Sequence, residues 1–211
     1  FDRGRRFDVD VMDDLETAGL AFGRLSAQFI RDKVVPELDA FRFASYCGIS
    51  GVTKKEETLA DGAATVAALS TAVTAMDDEE VTATGRYLFI TPTLLQGIND
   101  MDTTKSKKVL EGFEQVIKVP QRRFYTAIKQ LSGKTGEEAG GYTKATGAAN
   151  INFAIVQKDA LIQYTKHAAP KIIAPENNPD ADAYVFGYRM VGIAKAYKNM
   201  LSGMYFSHDK A

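Results

Sequence analysis

Few residues in this chain have the types and spacing to do chemistry, and their surroundings decide what they can do. Gly133-Lys134-Thr135 has the ending of a phosphate-binding loop, where a lysine and a hydroxyl follow a turn whose amides wrap an anion. Such a loop needs another glycine five residues before Gly133, and that position holds Ile128. The Gly-, Ala- and Thr-rich residues that follow promise no helix whose N-terminus could hold a phosphate. A plain surface loop is therefore expected, with a small nucleotide-binding enzyme as the weaker alternative. His167, in Lys166-His167-Ala168-Ala169-Pro170, has no acid or thiol near it in sequence. It is expected to be an exposed or interface histidine rather than a triad member. Cys47 follows Tyr46 at the end of a long helical pattern, where a buried and inert thiol is expected. One Cys and two His speak against a Cys/His zinc site, and one Cys rules out an internal disulfide and fits a reducing cytoplasm. The acidic runs Asp13-Asp14 and Asp77-Asp78-Glu79-Glu80 lack the alternating spacing of a calcium loop, so helix capping and a solvated turn are expected. No catalytic, cofactor-binding or metal-binding residue is assigned. Arg3, Arg5, Arg6, Arg122 and Arg123 remain as candidates for contact with another macromolecule. They would meet either phosphates or, as favoured here, acids of a neighbouring subunit.

The elements that must position these residues fit within 211 residues, enough for one large domain or two modest ones. A hydrophobic share of 45% and a charged share of 25% are those of an ordinary globular chain. No run approaches the ~20 apolar residues of a membrane span, and no signal peptide is visible. A net charge of −1 supplies no global field toward DNA or anionic lipid, although it leaves room for one basic face. The chain opens on Phe1 without an initiator Met, and a processed or truncated product is expected.

Phe7, Val9 and Val11 alternate with Asp8 and Asp10, the period of a half-buried strand. Asp13 and Glu16 resemble a capping box. Leu15, Ala18, Phe22, Leu25 and Phe29, then Ile30, Val34, Leu38 and Phe41, recur at three and four, which predicts an amphipathic helix of ~30 residues to about Tyr46. Aromatics at that spacing belong to a core. Pro36 should kink or interrupt this helix. A second helix is predicted through Leu59, Ala63, Val66, Leu69, Val73 and Met76, stopped by the acidic run. Strands are predicted at Tyr87–Ile90 and Val116–Val119, with a short helix after Thr91-Pro92. Residues 132–149 are expected to form a long exposed loop, and Ile151, Phe153 and Ile155 a strand, followed by a short helix capped by Asp159. Pro170, Pro175 and Pro179 mark an extended crossing. Tyr184, Phe186, Tyr188 and Met190 predict one closing strand and Tyr197–Phe206 another, giving an α+β fold.

Several blocks then resemble tailed-bacteriophage major capsid proteins. Asp2-Arg3-Gly4-Arg5-Arg6-Phe7-Asp8-Val9-Asp10 with Met12–Thr17 is similar to the returning strand of an extended loop that enters the long spine helix, and Val34–Phe43 to the end of that helix. Gly85–Pro92, Val119–Tyr125, Asn150–Val156, Asp182–Arg189 and Lys198–Tyr205 resemble further blocks. The resemblance implies the Hong Kong 97-like capsid fold, with a peripheral domain carrying the spine helix and long strands, and an axial domain. It implies three segments: 1–46 as the returning strand and spine helix, 47–150 as the axial domain, and 151–211 as an axial strand and helix followed by closing peripheral strands. The N-terminal arm and the outgoing half of the extended loop are expected to be absent, since Phe1 falls just before the returning strand. Leu15, Phe22, Leu25, Phe29 and Leu38 become the expected spine-helix core.

The implied function is a non-enzymatic subunit that self-assembles through hexamers and pentamers into an icosahedral phage or prophage shell. Scaffold and portal proteins are further candidate partners, packaged DNA would meet the inner face without sequence preference, and no membrane or cofactor is involved. The implied location is the virion, with assembly in the bacterial host cytoplasm. An encapsulin-type nanocompartment shell is the nearest alternative.

Overall fold

The alternation of Phe7 and Val9 with aspartates produces β1 (Asp2–Asp10), and the aromatic alternation near the C-terminus produces its antiparallel partner β9 (Ala183–Ala196). A computed structural model describes residues 1–12 and 20–210, and of residues 20–22 and 167 the backbone alone. The capping box Asp13/Glu16, Asp14, Leu15 and Ala18 lie outside the described residues, as do the side chains of Phe22 and His167. The chain divides into two units, Phe1–Leu38 with Gln163–Ile193 and Asp39–Ile162 with Ala194–Ala211. The division thus interleaves the chain.

In the first unit, β8 (Leu161–Ile173) completes a sheet of order β1-β9-β8 among the described residues. Phe7 stands opposite Phe186, and cross-strand partners share a face. Phe29, at the end of α1 (Leu20–Phe29), closes an aromatic cluster on that face, its ring centroid 5.5 Å from Phe7 and 6.4 Å from Phe186. Two residues along β1 on each step, the same face presents Arg3, which pairs with Glu37 at 2.7 Å.

The helix continues past Phe29 through a π-helical segment (Ile30–Val34) into α2 (Val35–Cys47), with right-handed helical backbone at both joints. Pro36 explains the π turn. A proline lacks the amide hydrogen for the carbonyl four residues back and crowds it. Here Val35 N–H donates to Ile30 O, five residues back, so the ladder widens just where the proline enters. The expected interruption is therefore absorbed, and the helical run is unbroken from Leu20 to Cys47. Of the expected spine core, Phe29 and Leu38 are half-buried. Leu25 corrects the expectation at 45% exposure. It lies one turn before Phe29 on the same helix face, beyond the aromatic cluster that covers Phe29.

The second unit is built on β7 (Ile151–Gln157), every residue of which is buried. β7 lies between β3 (Arg86–Ile90) and β10 (Met204–His208), antiparallel to both. The edges β2 (Thr53–Glu56) and β4 (Gln115–Lys118) run parallel to β10 and β3. One face carries Leu88, Ile90, Phe153, Ile155 and Tyr205 under α3 (Gly62–Asp78), α4 (Pro92–Asp100) and α5 (Thr104–Glu111). The other carries Ala154, Val156, Met204 and Phe206, covered by Phe43, Tyr46 and Cys47 at the end of α2 and by Phe124. Phe43 meets Phe89 at 5.3 Å and Phe124 at 4.7 Å between ring centroids.

The acidic run ends α3 as expected, but Asp77 is more than a solvated acid. It pairs at 2.7 Å with Arg86, whose side chain is 2% exposed and which also donates to the Val81 and Thr82 carbonyls. A buried guanidinium is tolerable only with such partners.

Four segments differ from expectation. β10 joins the second unit's sheet rather than pairing beside β9, and it starts only at Met204, after a 3₁₀ turn (Leu201–Gly203). Met204, Tyr205 and Phe206 are apolar without alternation because both faces of the strand are covered. After Asp159 comes β8 and not a helix, Asp159 itself lying in a 3₁₀ turn (Lys158–Ala160). The stretch 132–149 contains β6 (Tyr142–Lys144), paired with β5 (Ile128–Gln130). Thr91 takes the N-cap position before Pro92, but its side chain makes no capping hydrogen bond.

α3 and α4 approach closely at two glycines. A Cβ on Gly62 would run into the carbonyl of Gly97, whereas one on Gly97 would meet Gly62 at an ordinary 3.4 Å. Gly62→Ala should therefore cost about 2–3 kcal/mol in urea unfolding, from overpacking against backbone that cannot yield. Gly97→Ala should be neutral or gain up to ~1 kcal/mol of helix propensity. Equal effects at the two positions would contradict this packing.

Candidate functional site

The phosphate-loop resemblance at Gly133 dissolves on geometry. The turn Leu131–Gly141 closes the β5–β6 hairpin, and no helix follows Thr135. A phosphate-binding loop leaves its amides free for the anion. Here the loop's own glutamates take them. The Glu137 carboxylate accepts the Ser132 N–H at 2.7 Å and pairs with Lys129 at 2.7 Å, and Glu138 accepts the Gly136 N–H at 2.7 Å. The Lys129 hydrogen bond first, and then that of Ser132, hold Glu137 down at about 2. Cys47 is buried, and burial pushes its thiol up, away from the reactive thiolate.

One polar cluster lay outside the sequence reading. Ser207 Oγ donates to Glu57 Oε1 at 2.7 Å, Asn152 Nδ2 donates to Glu57 O at 2.9 Å, and Lys55 pairs with Glu57 at 3.0 Å. Ser207 is fully buried, so this hydroxyl meets no substrate; the cluster ties β2 to β10 and β7. Glu57, Asn152 and Ser207 come from segments far apart in sequence, and no local motif announced them.

The five candidate arginines separate into two groups. Arg3 is held by Glu37, Arg6 by Asp8 at 3.4 Å and Asp180 at 3.7 Å, and Arg123 by Asp39 at 3.1 Å. Burial raises the Asp39 carboxyl, with Arg123 opposing. Arg5 and Arg122 are exposed. Around Arg122 lies a compact patch. Tyr142 Oη donates to Arg122 O at 2.8 Å, and Lys144 sits 5.8 Å above the Tyr125 ring while donating to Asn150 Oδ1 at 3.0 Å. Burial, first among its causes, raises the Tyr142 hydroxyl.

The larger feature is apolar. Among the described residues, the large hydrophobic side chains at least 40% exposed are Met12, Leu25, Val35, Tyr164, Ile172 and Ile193 in the first unit and Tyr197 in the second. In β8, Gln163 to Lys166 are all exposed, whichever side of the sheet each faces. Where exposed apolar side chains are contiguous, they form a surface that another chain can cover. The arrangement offers contacts rather than a reaction centre.

No family model matches the chain, and no curated protein does. Solved structures match it over nearly its whole length. A structure of Mycobacterium phage Che8 is 12% identical at a TM-score of 0.63, with 98% of this chain and 70% of that chain covered. A virus-like particle from Pyrococcus furiosus is 8% identical at 0.64, over 98% and 76%. The capsid of cyanophage P-SCSP1u is 15% identical at 0.58, over 99% and 72%.

The Glu137 geometry sets a titration. Because its carboxyl is depressed, whatever order it lends the loop is present above the ordinary value near 4.5 and is lost as the pH falls toward about 2. The Ser132 amide resonance should shift with a midpoint near 2, and Lys129→Ala should move that midpoint toward 4.5. A midpoint near 4.5 in the unaltered protein would contradict the contact.

Proposed function

From the Hong Kong 97-like capsid fold of this chain, we propose that it is a structural, non-enzymatic subunit of an icosahedral phage or prophage shell, assembling with copies of itself around DNA. The observation that carries this reading is the likeness of fold, over 98% of the chain to a virus-like particle and over 99% to a cyanophage capsid. The distribution of exposed apolar side chains supports it. A tile that meets copies of itself keeps such residues on the body that meets them, and here six of the seven among the described residues lie in the first unit.

In this account the first unit is the peripheral domain and the second the axial domain. Hexamers and pentamers hold each subunit by many modest contacts at once, which together exceed any single one. Scaffold and portal proteins are further partners, and packaged DNA is met through phosphates without sequence preference. Assembly takes place in the host cytoplasm, and the finished protein resides in the virion. The Pyrococcus furiosus virus-like particle, at a TM-score of 0.64, keeps a second reading in view, an encapsulin-type compartment.

Negative-stain microscopy of the protein expressed in full from its own gene should show uniform hollow particles. Nuclease-protected DNA in particles from infected or induced cells supports the phage reading, and enclosed protein without DNA the compartment. A monodisperse monomer at high concentration would overturn both. Tyr164→Asp and Ile172→Asp should each change the stability of the unassembled chain by no more than about 0.5 kcal/mol, as exposed sites do. Both should reduce particle yield sharply. Particles at wild-type yield would show that these side chains are not covered on assembly.

A further inference from the structure

We propose that the basic patch of Arg122 and Lys144 is a docking surface for the acidic turn Asp78-Glu79-Glu80 of the next copy of this chain, a contact that rests on the shell reading. Arg122 and Lys144 are exposed, and neither pairs with a carboxylate among the described residues. Their neighbours make the patch rigid. Tyr142 fixes the Arg122 backbone through its hydroxyl, and Lys144 is steered by the Tyr125 ring and Asn150. Adjacent Arg123 already binds the carboxylate of Asp39, so this is chemistry the patch performs within its own chain.

The acidic turn is equally built. Asp77 and the carbonyls of Val81 and Thr82 anchor it to buried Arg86, which leaves Asp78, Glu79 and Glu80 exposed and paired with no cation among the described residues. The two features lie at opposite ends of one sheet. Arg86 stands opposite Gln157 at the end of β7, and Tyr125 bridges to Asn150 just before its start. Seven residues of strand separate them, roughly 20 Å at ~3.3 Å per residue. No copy can therefore satisfy itself. Complementary charges at opposite ends of a rigid body make a head-to-tail contact, the kind that closes into rings. Like charges misplaced across such a contact repel, which fixes register.

Charge exchange tests the pairing. Arg122→Glu with Lys144→Glu should lower particle yield about tenfold or more, as should Asp78→Lys with Glu79→Lys and Glu80→Lys. Thermal unfolding of each purified chain confirms that it has folded. All five substitutions in one chain should restore assembly to within a few-fold, because the pair is reversed and not removed. Arg122→Cys with Glu79→Cys should also give disulfide-linked oligomers within particles under oxidation, since Cys47 is buried. Reversed variants that assemble at wild-type yield overturn the contact, and so does failure of the five-fold exchange to restore it. Particles that form normally but lose their DNA on reversal of Arg122 and Lys144 would assign the patch to nucleic acid instead. Absence of particles from the unaltered protein would overturn the shell reading itself, a result distinct from the others.

Discussion

Among the described residues, the three-stranded sheet and the helical run from Leu20 do not bury all of the first unit's apolar side chains, and that shortage governs the unit. Small bodies bury a lower fraction of their surface than large ones. The residues Phe7, Phe29 and Phe186 close one cluster, and Arg3 and Glu37 extend the same contact by a charged hydrogen bond. Beyond them Leu25, Tyr164 and Ile172 remain in water. In the second unit a central strand buried along its whole length is covered by helices on one face and by the end of α2 on the other, and among the described residues Tyr197 is the large hydrophobic side chain left exposed. Most of the exposed large apolar side chains among the described residues thus fall in one unit.

The helix carrying Phe29 must pass Pro36 without losing its direction of chain. The π turn at Ile30–Val34 achieves this by changing the hydrogen-bond partner of Val35 rather than opening the ladder. Phe29 and Glu37 then serve the first unit, while Phe43, Tyr46 and Cys47 serve the second from the same unbroken run. A break at the proline would have given each unit a separate short helix, with ends to be capped.

Much of the fold was legible where one face is wet and one dry. Phe7 and Val9, the spacing from Phe29 to Phe41, and the alternation from Tyr184 to Met190 all follow a period that side-chain geometry imposes. Legibility failed where that contrast disappears. β10 is covered on both faces, β2 is a polar edge of Thr-Lys-Lys-Glu, and β8 is exposed along its outer stretch. α5 begins with a capping box of Thr103 and Ser106, in which serine replaces the usual glutamate, and so it escaped notice. The arginines show the same limit. Arg3, Arg5 and Arg6 are neighbours in sequence, yet pleating sends Arg3 to Glu37 and Arg6 to Asp8 and Asp180. Which cation stays free depends on acids brought from elsewhere in the chain.

Hydrogen–deuterium exchange in assembled and dissociated protein tests most directly whether the first unit is completed by neighbours. The account predicts that amides of β8 from Gln163 to Ile173, and those of α1 around Leu25, exchange markedly more slowly in the assembly, while β7 is equally protected in both. Unchanged exchange along β8 and α1 in intact particles would mean that these surfaces stay open to water, and the account of a tile covered by its own kind would be contradicted.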